Sequence, residues 1–131
     1  MKPSAFLIAA VAPLAACTAE PDGGAEVSAP AVTVAGAPVD CVLVDRIRNT
    51  VVHDDYTIDF VLTGGDVYRN TLPNRCPGLG FEERFAYEAS TGRLCQVDTI
   101  TVLQPGAAGR GPRCSLGKFT PVRYLEVAAG S

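Results

Sequence analysis

From Tyr56 to Leu72 the chain carries one pattern that decides its fold class. Tyr56, Ile58, Phe60 and Leu62 alternate with Thr57, Asp59, Val61 and Thr63. An apolar residue at every second position is the signature of a strand with one core-facing side. Gly64-Gly65-Asp66 follows, and glycines there accept the positive φ that a tight hairpin turn demands. Val67 to Leu72 then runs back as the antiparallel partner. A hairpin with an apolar face must bury that face, and no stretch of the chain shows a helical period over three turns. The partners must therefore be other strands.

The remaining strand signals are shorter. Val42 to Val52 is rich in Val, Leu and Ile, with Asp45 and Arg46 breaking it near the middle, which predicts a strand with a bulge. His53-Asp54-Asp55 is its turn, where Asp side chains bond their own backbone. Pro73 to Gly80 is loop by composition. Phe81 to Ala89 predicts a short strand with Phe85 and Tyr87 on one face, or a helical turn at Phe81 to Arg84. Ser90-Thr91-Gly92 turns the chain. Leu94 to Leu103 predicts a strand with Val97, Thr99, Thr101 and Leu103 opposite Asp98, Ile100 and Val102. Gln104 to Arg113, with three glycines and two prolines, predicts a mobile loop. Phe119 to Val127 is a last strand, which Pro121 demotes to an edge or a bulge. About six short strands predict an all-β domain, a small antiparallel sheet closed as a barrel or folded as a sandwich.

Cys41, Cys76, Cys95 and Cys114 lie within this region. An even number of cysteines in a small exported domain predicts two disulfides. Four cysteines allow three pairings. The reading favours Cys76 with Cys95, which closes a local loop, and Cys41 with Cys114, which ties the first strand to one near the end. A four-cysteine zinc site needs close pairs, and the gaps of 34, 18 and 18 intervening residues do not supply them.

The N-terminus supplies an address. Lys2 precedes an apolar run from Ala5 to Leu14, and Leu14-Ala15-Ala16-Cys17 closes it. A charged start, a short apolar segment and small residues mark a removed targeting segment rather than a membrane span. The four closing residues resemble the lipobox of bacterial lipoproteins. That resemblance implies a signal peptide over 1–16, cleavage before Cys17, and lipid on Cys17 that anchors the protein to a membrane on its periplasmic face. Thr18, rather than Asp, after that cysteine favours the outer membrane over the inner by the enterobacterial sorting rule. Residues 17–40 then form a lipidated cysteine and an acidic tether. They have no aromatic or basic residue, carry Glu20, Asp22, Glu26 and Asp40, and cannot bury enough apolar area to offset the entropy of ordering. Their span as a Gly-rich coil is roughly 25 to 30 Å. A strand or helix within Val27 to Val34 is the alternative. The folded domain is 41–131.

Several segments, in order, are Arg46-Ile47-Arg48-Asn49-Thr50, Asp54 to Phe60, Gly64 to Pro73, Cys76-Pro77-Gly78-Leu79, Leu94-Cys95, Val97-Asp98-Thr99-Ile100 and Cys114 to Phe119. Their order and spacing resemble a domain-of-unknown-function family of small exported proteobacterial proteins. The likeness covers nearly all of Cys41 to Val122. It implies a shared fold and cysteine frame, and no activity.

Charge and chemistry narrow the function classes. Residues 41–131 hold ten Lys/Arg and ten Asp/Glu, so bulk charge does not point to nucleic acid. From Thr99 to Leu125, however, Arg110, Arg113, Lys118 and Arg123 occur without an acid, a candidate contact surface. His53 is the only histidine, and its predicted turn makes an exposed histidine without a catalytic role the expectation. Glu82, Glu83, Asp59 and Asp98 are the acids that a two-carboxylate site would have to use, and a solvated face is the expectation for each. Asp54-Asp55 with Asp59 is not a calcium loop. There is no tryptophan and no evident sugar platform, and Tyr56, Tyr68, Phe60 and Phe85 read as core. No cofactor is expected. The chain reads as a non-enzymatic envelope lipoprotein that binds another envelope component, such as an enzyme it inhibits or assists, through the loops at Cys76 to Gly80 and Gln104 to Arg113. The alternative is a carrier of a small ligand in a barrel mouth.

Overall fold

The computed structural model describes residues 29–106 and 109–125. The expected signal peptide, Cys17, most of the expected tether and the residues after 125 lie outside the described residues. Ten short strands account for the fold: β1 (Val32–Val34), β2 (Cys41–Leu43), β3 (Ile47–Val52), β4 (Thr57–Leu62), β5 (Val67–Thr71), β6 (Phe85–Tyr87), β7 (Arg93–Cys95), β8 (Thr99–Leu103), β9 (Arg110–Ser115) and β10 (Phe119–Tyr124). They pair antiparallel in three sheets, ordered β1-β10-β5-β4-β3, β2-β7 and β6-β8-β9. The fold is all-β, as expected. The sheets do not close into a barrel; their apolar faces meet as in a sandwich.

The expected hairpin is β4–β5. Asp59 sits opposite Arg69 and Phe60 opposite Tyr68. The turn holds Gly64 and Gly65 at φ 96° and 95°, with the Leu62 amide donating to the Asp66 carbonyl at 2.8 Å. One face of this sheet supplies Ile58, Phe60 and Phe119 to the core. Ile100 and Val102 of β8, Val42 of β2 and Leu94 of β7 close on them from the other sheets. Phe60 meets Phe119 and Phe85 edge to face, at centroid distances of 5.3 and 6.2 Å, the geometry that ring quadrupoles favour.

Ten strands replace about six for local reasons. A 3-10 turn at Val44–Arg46 divides the expected Val42 to Val52 strand, and its halves join different sheets. A turn at Gln96 to Asp98 divides Leu94 to Leu103; the Asp98 carboxylate accepts the Cys95 amide at 2.7 Å. Residues 110–113, expected in a mobile loop, form most of β9 (Arg110–Ser115) on a sheet edge, with Pro112 in the register irregularity between the Thr101 and Leu103 pairings. Residues 32–34, assigned to the tether, form β1, and Val39 bridges to Phe119. The ordered domain thus begins upstream of Cys41. β10 lies between β1 and β5, not on an edge. Pro121 is tolerated there because its carbonyl accepts the Ala35 amide. The N and O of one residue face the same side of a strand, so the missing donor faces the end of β1 and not the β5 ladder.

The disulfides correct the expected pairing. They join Cys41 to Cys95 and Cys76 to Cys114. Cys41 and Cys95 are directly opposite in the β2–β7 register. Cys114, opposite Ile100 on β9, meets the buried Cys76 of the loop after β5. Local loop closure therefore does not choose the pairs: strand partnership sets Cys41–Cys95, and the loop after β5 reaching β9 sets Cys76–Cys114. A second anchor fixes the β9–β10 connection. Asn70, fully buried on β5, donates to the Gly117 carbonyl at 2.7 Å and accepts the Gly117 amide at 2.8 Å. A Cβ on Gly117 would lie 2.3 Å from the Thr71 carbonyl oxygen, so only glycine fits.

Candidate functional site

Two features of the surface could carry chemistry. The first is built on Asp59, at the centre of β4. Strand alternation puts it on the face away from Phe60, yet it is fully buried. Arg69, its cross-strand neighbour, donates Nε–H to Oδ1 at 2.8 Å and Nη2–H to Oδ2 at 3.0 Å. His53, at the end of the β3–β4 hairpin, lies 2.7 Å from Oδ2, and the Tyr124 hydroxyl donates to the same oxygen at 2.5 Å. Burial pushes the Asp59 carboxyl up, but the hydrogen bonds from Arg69, Tyr124 and His53 outweigh it and hold the group below the usual carboxylate range. An ionised carboxylate only accepts, so His53 donates from Nε2. The hydrogen bond to Asp59, opposed in part by burial, raises the Arg69 pKa further. Burial and the same carboxylate push the Tyr124 phenol up to about 12.

Four donors hold the carboxylate, one on Oδ1 and three on Oδ2, and so stabilise its charged, acceptor-only form. The cluster pins three elements together. Beside it an open depression of about 490 Å³ is walled by Pro30, Tyr56, Thr57 and Thr71, with Arg69 at its edge; Arg69 Nη1 donates to the Pro30 carbonyl at 2.9 Å. The expectation of a solvated Asp59 and an exposed His53 is thus corrected. Alternation marks which face a residue takes, and it carries no sign of what covers that face.

The second feature is on the outer face of the three-stranded sheet. With Ile100 and Val102 pointing into the core, Thr99 and Thr101 point out. The register sets Ala86 of β6 on one side of Thr101 and Arg113 of β9 on the other, with Arg110 opposite Leu103. Ala86, Glu88, Thr99, Thr101, Gly111 and the two arginines line a concavity of about 310 Å³. Arg113 Nη2 donates to the Thr99 hydroxyl at 3.3 Å. Arg110 and Arg113 are both exposed.

Of the four cations expected to share one contact surface, the fold brings together only this pair. Lys118 lies 3.5 Å from Asp40, both exposed, and Arg123 sits on β10 in the five-stranded sheet, opposite Thr33. The loop at Cys76 to Gly80 is tied down instead of free: the Cys76 amide donates to the Asp55 carbonyl, and the Asp55 carboxylate accepts from the Gly80 amide and from Arg75 Nε. Tyr56, expected in the core, lines the depression, while Phe60 is buried and Phe85 and Tyr68 pack against the core. Among the described residues no group of three or more His, Cys, Asp or Glu side chains is placed to hold a metal ion, and no helix is long and apolar enough to cross a membrane. No family model, curated protein or solved structure matches the chain.

Proposed function

We propose that this protein is a non-enzymatic interaction module of the bacterial envelope, anchored by lipid on Cys17, and that the outer face of the β6-β8-β9 sheet is its contact surface. The lipobox Leu14 to Cys17 supports the address. Two disulfides in a domain of this size support an oxidising compartment. The observation that carries the contact surface is the convergence of Arg110 and Arg113 on one concavity with two threonines. The resemblance to small exported proteobacterial proteins belongs to the same proposal. An envelope enzyme that the module inhibits or assists is the partner type it fits.

The test is a photoreactive residue placed at Ala86, inside the concavity, with a second at Thr33 on the other sheet as control. Irradiation of intact cells should give a discrete protein adduct from position 86 and none from position 33. No adduct from position 86 overturns the proposal. A second reading, a small-ligand carrier, rests on the depression beside Arg69, since no barrel closes to offer a mouth. Native mass spectrometry of the purified protein tests it: a co-purified small molecule supports it, and a bare mass removes it.

A further inference from the structure

We propose that the concavity between Arg110 and Arg113 is a carboxylate-binding site that receives an acidic side chain of a partner protein. This rests on the reading of the β6-β8-β9 face as the contact surface and adds the chemistry of what enters it. The guanidinium group is a planar fork of five donors matched to carboxylate geometry, and two such groups line one hollow. Among the described residues, no Asp or Glu forms an ion pair with either arginine, so what sets this pair apart is that both line one hollow. Arg113 is already oriented by its bond to the Thr99 hydroxyl, which keeps its own proton to donate. Ala86 puts little bulk into the hollow, while the Gln104 side chain packs over Gly111, 3.0 Å from where a Cβ would stand.

The charge balance selects among anions. Glu88 lines the same hollow, and a like charge nearby penalises a dianion more than a monoanion. A single carboxylate therefore fits better than a phosphate monoester. The shape selects among partners. A concavity of about 310 Å³ accepts a protruding side chain, where a membrane surface would need a broad, flat or convex basic face. β9 is a sheet edge, but Pro112 has no amide hydrogen to offer an added strand. Recognition by side chains, not by strand addition, follows.

The experiment uses the full mature chain and fluorescently labelled hexaglutamate, with hexaglutamine as the neutral probe, read by anisotropy at low salt. Hexaglutamate should bind and hexaglutamine should not. The Arg110→Gln/Arg113→Gln variant should weaken binding at least tenfold, Arg110→Lys/Arg113→Lys should restore part of it, and Arg123→Gln should leave it unchanged. Thermal melts of each variant separate lost binding from lost folding. No binding of hexaglutamate, or equal binding by the Gln/Gln variant, overturns the inference. So does binding to vesicles of anionic phospholipid that needs the two arginines while hexaglutamate does not bind, since that identifies a headgroup phosphate as the ligand. An adduct from position 86 that persists in the Gln/Gln variant overturns the carboxylate site and leaves the contact surface standing; no adduct from position 86 with both arginines in place removes the contact surface itself.

Discussion

Replacing Asp59 by Asn isolates the buried ionic cluster. The substitution keeps the shape and one acceptor oxygen, and removes the charge that faces Arg69, His53 and Tyr124. Arg69 has a side chain only 13% exposed, so it is left as a largely buried cation beside a neutral amide. Removing one partner of a buried pair typically destabilises by about 3–5 kcal/mol. Because Arg69 keeps its bond to the Pro30 carbonyl, the lower end, about 3 kcal/mol, is expected. For a domain of about 100 residues, that corresponds to a fall in Tm of about 12–24 °C. The assay is urea unfolding followed by circular dichroism, with an unchanged m-value showing that stability alone has moved. Arg75→Gln is the control: Arg75 is 60% accessible and pairs with an Asp55 that is 17% accessible, and a pair with one end in solvent contributes about 1 kcal/mol. The pH dependence has a definite sign. Asp59 is held below the usual carboxylate range, so its contribution is complete above the unfolded carboxylate value of about 4 and is lost as pH falls through the lower folded value. The gap between wild type and Asp59→Asn should therefore be full at neutral pH and shrink below about pH 4. A loss no larger than that of Arg75→Gln would refute the reasoning.

Two further outcomes follow from the same geometry. Tyr124→Phe should remove about 1.5 kcal/mol, the lower end for a hydrogen bond to a charged group. It should also delete, from the absorbance titration of the tyrosines, the one that ionises near pH 12; because that pKa is raised, the contribution of the phenol is present below its ordinary value of about 10 and fades as pH rises through about 12. Gly117→Ala should destabilise by more than about 2 kcal/mol, as overpacking against fixed backbone does, because its new Cβ would stand 2.3 Å from the Thr71 carbonyl oxygen; a melting temperature within a few degrees of wild type, on the scale of about 4–8 °C per kcal/mol, contradicts it.

The parts of the fold that were legible in the chain were those where one strand's own pattern suffices. The β4–β5 hairpin was legible because period-two alternation and Gly64-Gly65 agree with each other. Ile100 and Val102 were assigned to one side of their strand on the same ground, and both are fully buried. What failed depended on partners distant in sequence. The Cys41–Cys95 pairing needs the knowledge that β7 lies beside β2. Glycine and proline made residues 110–113, most of what is β9, look like a loop, although an edge strand tolerates Pro112 where a central one does not. β1 is three residues long, and only its ladder to β10 gives it a structure. Asp59 and His53 were illegible because two carboxylate oxygens and four donors come from β4, β5, β10 and a hairpin end. The only available clue was an acid and an arginine at matching positions across a strong hairpin, Asp59 and Arg69, a pair that the turn register itself fixes. Arg110 and Arg113 were singled out as part of a basic run; that they share a hollow while Lys118 and Arg123 do not follows from which strands they occupy.

Peptide mapping by mass spectrometry, without reduction, on the protein recovered from membranes tests the account most directly. It should find a chain that starts at Cys17 with lipid on that residue, Cys41 linked to Cys95, and Cys76 linked to Cys114. A chain retaining residues 1–16 with Cys17 free, or a Cys76–Cys95 linkage, would contradict it.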